Sequence, residues 1–259
     1  MPSELQTQRH GSTLVLTISD PQTRNTLSEQ AISAGIEALN VAESDAQVRA
    51  VVLRGDGAHF CAGGNLRGLH ERREAGPNAQ RQMLERLHQL IEALRAFPKP
   101  VHAAVEGAAA GAGFSLAMAC DLIVAASGAR FILSHARIGL TPDGGASWHL
   151  ARAMPRQQLQ QMMWLAEPVT AQQLHALGIV GWVVGDGCAL AETLQIASRL
   201  GGMASNALAS GKELTRSAAT HDLTQQLAAE GDHFIDNLFN ANAGEGLQAF
   251  FDKRAPKFQ

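Results

Sequence analysis

The chain has 259 residues, 46% of them hydrophobic, and a formal net charge of -3. That length suits one large domain or a core with a small appendage, and the charge argues against nucleic acid or an anionic membrane as a partner. Cys61, Cys120 and Cys188 are widely spaced and form no CxxC pair, which argues against a disulfide framework or a metal site and fits a reducing compartment. Residues 1–10 are polar, unlike a signal peptide, and no apolar run reaches the roughly 18 residues of a membrane span. The reading is a soluble, cytoplasmic protein.

In chain order, the β-branched run Leu14 to Ile18 predicts a strand ended by Asp20-Pro21. Thr26-Leu27-Ser28-Glu29 has a capping-box pattern and predicts a helix towards Val41. A second strand is expected from Val48 to Leu53. The stretch 68–79 is charged, contains Gly76-Pro77 and reads as a mobile loop. Met83, Leu84, Leu87, Leu90, Ile91 and Leu94 recur at helical spacing, so Gln80 to Phe97 should be a helix, stopped by Pro98 and Pro100. Strands are expected at Val101 to Val105 and Leu122 to Ala126, with a glycine-rich turn and a helix between them. Thr170 with Gln173 forms another capping box. Helices should then cover Ala189 to Leu200, Asn206 to Arg216 and Leu223 to Phe239. The expected organisation is a mixed α/β core over residues 1–195 and a helical region over 196–259.

Two segments carry chemistry. One is Phe60-Cys61-Ala62-Gly63-Gly64-Asn65-Leu66, after a predicted strand; the other runs from Val105 to Leu116, between a strand and a helix. Small residues let a ligand approach the backbone, and the second segment opens a helix whose first N–H groups lack partners and favour an anion. Taken alone, glycine after a strand is more often a tight turn. Neither segment is a Walker loop, and GxGxxG does not occur.

Together these segments resemble the crotonase superfamily, also called the enoyl-CoA hydratase/isomerase family. The resemblance is carried by Pro21 with Arg24-Asn25-Thr26-Leu27, FCAGGNL at 60–66, PKPVHAAVEGAAAGAGFSLAMACD at 98–121, ARFILSHARIGLTPDGG at 129–145 and FFDKR at 250–254. It implies a spiral core of repeated β-β-α turns, a helical C-terminal region that trimerises, and trimers or dimers of trimers. It also implies an acyl-CoA thioester substrate from chemistry of the fatty-acid type, with no separate cofactor because coenzyme A is part of the substrate. The backbone N–H groups of Gly64 and Ala112 would then hold the thioester oxygen; many relatives have glycine at the second place, and alanine keeps the N–H. Each such donor is worth about 100- to 1000-fold in rate. The resemblance further places Arg24 and Arg67 near the phosphates of coenzyme A. Phe250 and Lys253 would lie near its adenine and 3′-phosphate, often reaching over from a neighbouring subunit.

Hydratases of this family use two glutamates, and the matching positions here are Ser115 and His135. The remaining carboxylate is Asp143, where isomerase-type members, including ring-type epoxyphenylacetyl-CoA isomerases, carry aspartate. One carboxylate can take a proton from one carbon and return it to another, and apolar walls suit such a base. His135 is the second candidate for acid or base. Ser115 reads as a packing residue and His88 as a partly buried packing histidine. An aspartate with a histidine at these places also occurs in chlorobenzoyl-CoA dehalogenases, but His135 stands where those carry tryptophan. The leading expectation is an enoyl-CoA isomerase, of double-bond or ring type. The alternatives are a hydratase in which His135 and Asp143 share the work, and a non-catalytic acyl-CoA binding protein. Residues of the 68–94 region and Trp148 are expected to wall the acyl pocket.

Overall fold

The computed structural model describes residues 3–258. The chain opens with a hairpin of β1 (Glu4–His10) and β2 (Thr13–Ser19), turned at Gly11 with φ 59°. β1 lies outside the elements expected from the sequence. It is an edge strand exposed along almost its whole length, so it lacks the alternation of apolar and polar residues that marks a half-buried strand. After a short 3-10 turn at Pro21–Thr23 comes α1 (Glu29–Ser44). Its N-cap is Ser28, not Thr26. Ser28 Oγ accepts from Ala31 N at 3.0 Å, whereas the Thr26 hydroxyl donates to Thr23 Oγ1.

β3 (Ala50–Gly55) follows, and then the supposed loop proves helical: α2 (Leu66–Ala75) and α3 (Pro77–Ala96). Asn65 starts α2, its Oδ1 accepting from Arg67 N and Gly68 N. Gly76, at φ 102°, breaks the helix, and Pro77 starts the next one with its ring already set for a first turn. No residue of α2 is buried, which is why its charged sequence lacks a continuous apolar stripe.

The middle of the chain supplies β4 (Val101–Val105), β5 (Ala108–Ala110), α4 (Ala112–Ala119), β6 (Leu122–Ala126) and β7 (Arg130–Ile132). A 3-10 segment, Ser134–Ile138, leads to α5 (Ala146–Ala153) and α6 (Arg156–Leu165). Then come β8 (Val169–Thr170), α7 (Ala171–Ala176), β9 (Trp182–Val184) and α8 (Ala189–Gly201). The capping box at Thr170 is present as expected, with both reciprocal bonds to Gln173. Last are α9 (Ser205–Ser217), α10 (Leu223–Leu238) and α11 (Ala241–Phe251), of which α11 is an addition to the sequence reading.

The main sheet has the order β1-β2-β3-β4-β6-β9, parallel except for the β1–β2 pair. Both faces of its centre are covered. Val51, Leu53, Val101, Ala103 and Val105 face the core beneath α1 and α3; Val52, Ala104 and Val124 face Ile196 and Ala197 of α8. A smaller sheet, β5-β7-β8, is extended by a bridge between Cys61 and Ala109. Successive turns of chain therefore give one strand to the large sheet and one segment to the small one before passing through helix: β3 with Cys61, β4 with β5, β6 with β7. This is the β-β-α spiral that the resemblance implied. Among the described residues, no helix is long and apolar enough to cross a membrane.

His102 sits in the middle of this arrangement. It is fully buried on β4, and neither ring nitrogen has a hydrogen-bond partner among the described residues. Burial, aided by the charge of Lys212, pushes its pKa down to about 4. The unfolded chain would bind a proton near pH 6.5, so this residue contributes stability above that pH and loses it as pH falls towards 4. His102→Leu should therefore flatten the acid loss. Urea unfolding at pH 7 and pH 4.5 should show a decrease smaller by roughly 2 kcal/mol in the variant than in the parent. An equal decrease in both would contradict the assignment.

Candidate active site

The two glycine segments are laced side by side by backbone bonds. Cys61 N donates to Ala108 O at 3.0 Å and Ala110 N donates to Cys61 O at 2.9 Å. The loop before α1 binds the other side of the first segment: Ala62 N donates to Arg24 O at 2.9 Å, and Leu27 N to Gly63 O at 2.8 Å. Asn25 holds that loop in place. Its amide donates to Asp56 O and His59 O at 2.9 and 2.7 Å, and its oxygen accepts from Asp20 N. The motif residues around Asn25 thus serve the geometry of the first glycine turn.

The packing is tight enough to require glycine at Gly63. At φ 91°, a Cβ there would stand 2.7 Å from Ala110 O and 3.2 Å from Ala112 N. The first turn therefore presses directly against the start of α4. Gly64, by contrast, has nothing within 4 Å of where its Cβ would be, because it faces open space. The N–H groups of Gly64 and Ala112 donate to no acceptor among the described residues, although most neighbouring amides do. An amide left unspent beside a cavity is available to a ligand. α4 adds to this. It is buried almost all round, so the positive end of its dipole acts in a medium of low polarity.

Gly64 and Ala112 both line a cavity of about 440 Å³, together with His135 and Asp143. α2 contributes Leu66, Leu69 and Arg72; α3 contributes Gln80, Met83, Leu84, Leu87 and His88. His135 lies in the 3-10 segment with Nε2 at 3.4 Å from Asp143 Oδ1. The same ring nitrogen is 3.6 Å from the place a Cβ on Gly111 would take, so the imidazole reaches the second glycine turn. Asp143 Oδ1 and His135 Nδ1 are buried with no hydrogen-bond partner among the described residues. Buried polar atoms without partners are rare, and beside a cavity a ligand can supply the missing partner.

Ser115 explains how Asp143 is held. Its hydroxyl donates to the backbone carbonyl of Asp143 at 2.7 Å. Gly144, at φ 59°, lets that loop come so close that a Cβ would meet Ser115 Cβ at 2.9 Å. A small hydroxyl residue is thus built into the seat of the loop.

The other expected site residues lie outside this cavity lining. Arg24 is exposed on the loop whose carbonyl binds Ala62, and Arg67 is exposed in the first turn of α2. Phe250 is exposed on α11 and Lys253 just beyond it, with φ 54°. Trp148 is not a wall of this cavity. It lines a second one, of about 450 Å³, with Arg95 and Arg152 stacked 4.3 and 3.9 Å from its ring. His88, read as a packing histidine, is exposed and lines the site. Arg72 and Gln80 were not singled out by the sequence reading, although Leu66, Leu69 and Arg72 do recur at intervals of three.

The different surroundings of the two adjacent glycines can be measured. Gly63→Ala should lose about 1–3 kcal/mol of stability from left-handed strain and crowding, whereas Gly64→Ala should stay within about 1 kcal/mol of the parent in urea unfolding. Equal losses would mean that the first turn does not press on α4 as described.

Comparison with known proteins agrees with this geometry. The family model for enoyl-CoA hydratase/isomerase matches residues 8–259. The chain is 34% identical over 248 residues to 1,2-epoxyphenylacetyl-CoA isomerase of Escherichia coli (strain K12), covering 95% of this chain and 94% of that one. It is 32% identical over 257 residues to 2,3-dehydroadipyl-CoA hydratase of the same organism, covering 99% of each. Among solved structures, the fold superposes on an enoyl-CoA hydratase from Polaromonas sp. JS666 with a TM-score of 0.98 and 51% identity, over 99% of this chain and 100% of that one. The chain belongs to the enoyl-CoA hydratase/isomerase family, whose members act on acyl-CoA thioesters.

Proposed function

We propose that this member is an enoyl-CoA isomerase in which Asp143 moves a proton while the N–H groups of Gly64 and Ala112 hold the thioester oxygen as an enolate. The observation that carries the reading is that Asp143 is the one carboxylate among the described residues lining the cavity. Removing a proton from the α- or γ-carbon of an acyl-CoA places negative charge on the thioester oxygen. Two donors fixed beforehand stabilise that charge without reorganising. A single carboxylate then suffices, because it can return the proton it took. His135, 3.4 Å from the carboxylate, would steady its charge or exchange the proton. No redox step occurs in this reaction, so coenzyme A enters as part of the substrate and no further cofactor is invoked.

The contact between His135 and Asp143 also favours a second reading, a hydratase in which one of the pair activates water and the other protonates carbon. The two readings differ in product. In D2O, a 3-enoyl-CoA should become the 2-enoyl isomer, with deuterium at the α- or γ-carbon in proportion to how often the carboxylate exchanges its proton before returning it; a 3-hydroxyacyl product from a 2-enoyl-CoA would instead establish the hydratase.

Coenzyme A recognition by Arg24 and Arg67 from this chain, and by Phe250 and Lys253 from a neighbour, belongs to the same proposal. What supports the neighbour's part is the surface of α10, where Leu223, Leu227, Phe234, Ile235 and Leu238 are all exposed and recur on one side of the helix. Such a face calls for cover by another copy, in a trimer or a dimer of trimers.

Asp143→Asn keeps the shape and removes the base. It should lower turnover at least about 100-fold while the affinity for an acyl-CoA stays within about threefold. Full activity in that variant would show that another group is the base.

A further inference from the structure

We infer that the acyl cavity is built for a thioester whose acyl chain ends in a second carboxylate, received by the guanidinium of Arg72. The inference rests on the acyl-CoA reading above and adds the class of acyl group. The contact with α3 places the Arg72 guanidinium away from the reacting end. On α2, Leu66, Leu69 and Arg72 line the cavity, and the Arg72 guanidinium folds back over Gly68, its Nη1 3.0 Å from the place a Cβ on Gly68 would take. On α3, Leu87 is beside the catalytic loop, within 3.6 Å of the Cβ position of Gly144. Gln80, on the same face as Leu87, lies about 10 Å back along α3. Arg72 and Gln80 meet there, Arg72 Nε donating to Gln80 Oε1 at 2.7 Å.

Along α3 the walls from Gln80 to the loop are Met83, Leu84 and Leu87, and α2 adds Leu66 and Leu69 to the lining. An apolar chain fits that middle section. Its far end meets a half-buried cation with one of five N–H donors used and no carboxylate partner among the described residues. The neighbouring Arg73 does pair with Glu74, in full solvent, so an acidic residue is near in sequence but points elsewhere. A guanidinium set at the end of an apolar channel is matched by a carboxylate, which can take its two terminal nitrogens side by side. Gln80 holds Nε and so fixes the plane of the fork.

Calorimetry with saturated thioesters tests this contact separately from turnover. A saturated ω-carboxyacyl-CoA and the methyl-terminated acyl-CoA of equal length would be compared with free coenzyme A as a third ligand. The parent should prefer the carboxylate-ended thioester by about 10- to 100-fold. Arg72→Leu should abolish the preference or reverse it, and Arg72→Lys should retain part of it, since a point charge lacks the fork. No preference in the parent, or a preference that survives Arg72→Leu, overturns the inference and leaves the acyl-CoA reading standing. An equal loss in Arg72→Leu for all three ligands also overturns it, by assigning Arg72 to the phosphates. If neither thioester binds the parent better than free coenzyme A does, the acyl-CoA reading falls and takes the inference with it.

Discussion

The site depends on the short ladder between Cys61 and the strand β5. Two backbone bonds, Cys61 N to Ala108 O and Ala110 N to Cys61 O, hold two distant segments of chain in register. That register brings Gly63 against the first residue of α4 and leaves the next two free amides, on Gly64 and Ala112, beside one cavity. A hydrogen-bonded ladder is stiff because a slip by one residue would turn every side chain to the opposite face. Here the opposite faces are a packed core and open space, so the register is enforced from both sides. The rest of the spiral serves to support this one crossing: the large sheet carries β4 up to the second turn, and Asn25 anchors the loop that closes the first.

In the proposed function a pair of main-chain donors holds the thioester, and the side chains around it decide the reaction. At this site the side chains are few. Ser115 spends its hydroxyl on the Asp143 carbonyl. A carboxylate in its place would have to displace that bond and meet Gly144, which already lies in contact with the Ser115 side chain. A small side chain at position 115 and the close seating of Asp143 therefore go together. That coupling is the physical reason to read the cavity as a site for moving one proton.

Much of this was legible in the sequence, for reasons that differ by element. β4 and β6 match their expected ranges because they are buried on both faces and consist of short apolar runs with clear stops. The α7 start was readable from Thr170 and Gln173, since a capping box is a local device. β1, α2 and α11 were not. Each is largely exposed, and an element that buries little shows little periodicity. In the site, Gly64, Ala112, His135 and Asp143 were reached through motifs, and the structure brings them around one cavity. Arg72 was hidden inside a charged run that looked solvated, and only the fold of α2 shows which of its charges faces inward. Trp148 was misplaced because an aromatic residue near a catalytic loop can face either side of its helix. Here it turns to Arg95 and Arg152 and lines the second cavity.

In the proposed mechanism the amides of Gly64 and Ala112 polarise a thioester carbonyl. Isotope-edited infrared spectroscopy reads that bond directly, using an unreactive acyl-CoA carrying carbon-13 at the thioester carbonyl. Binding should move the carbonyl stretch to lower frequency than in water, because two aligned donors in a water-poor site weaken the bond more than solvent does. A band that stays at its aqueous position, or moves to higher frequency as in an apolar solvent, would contradict the account.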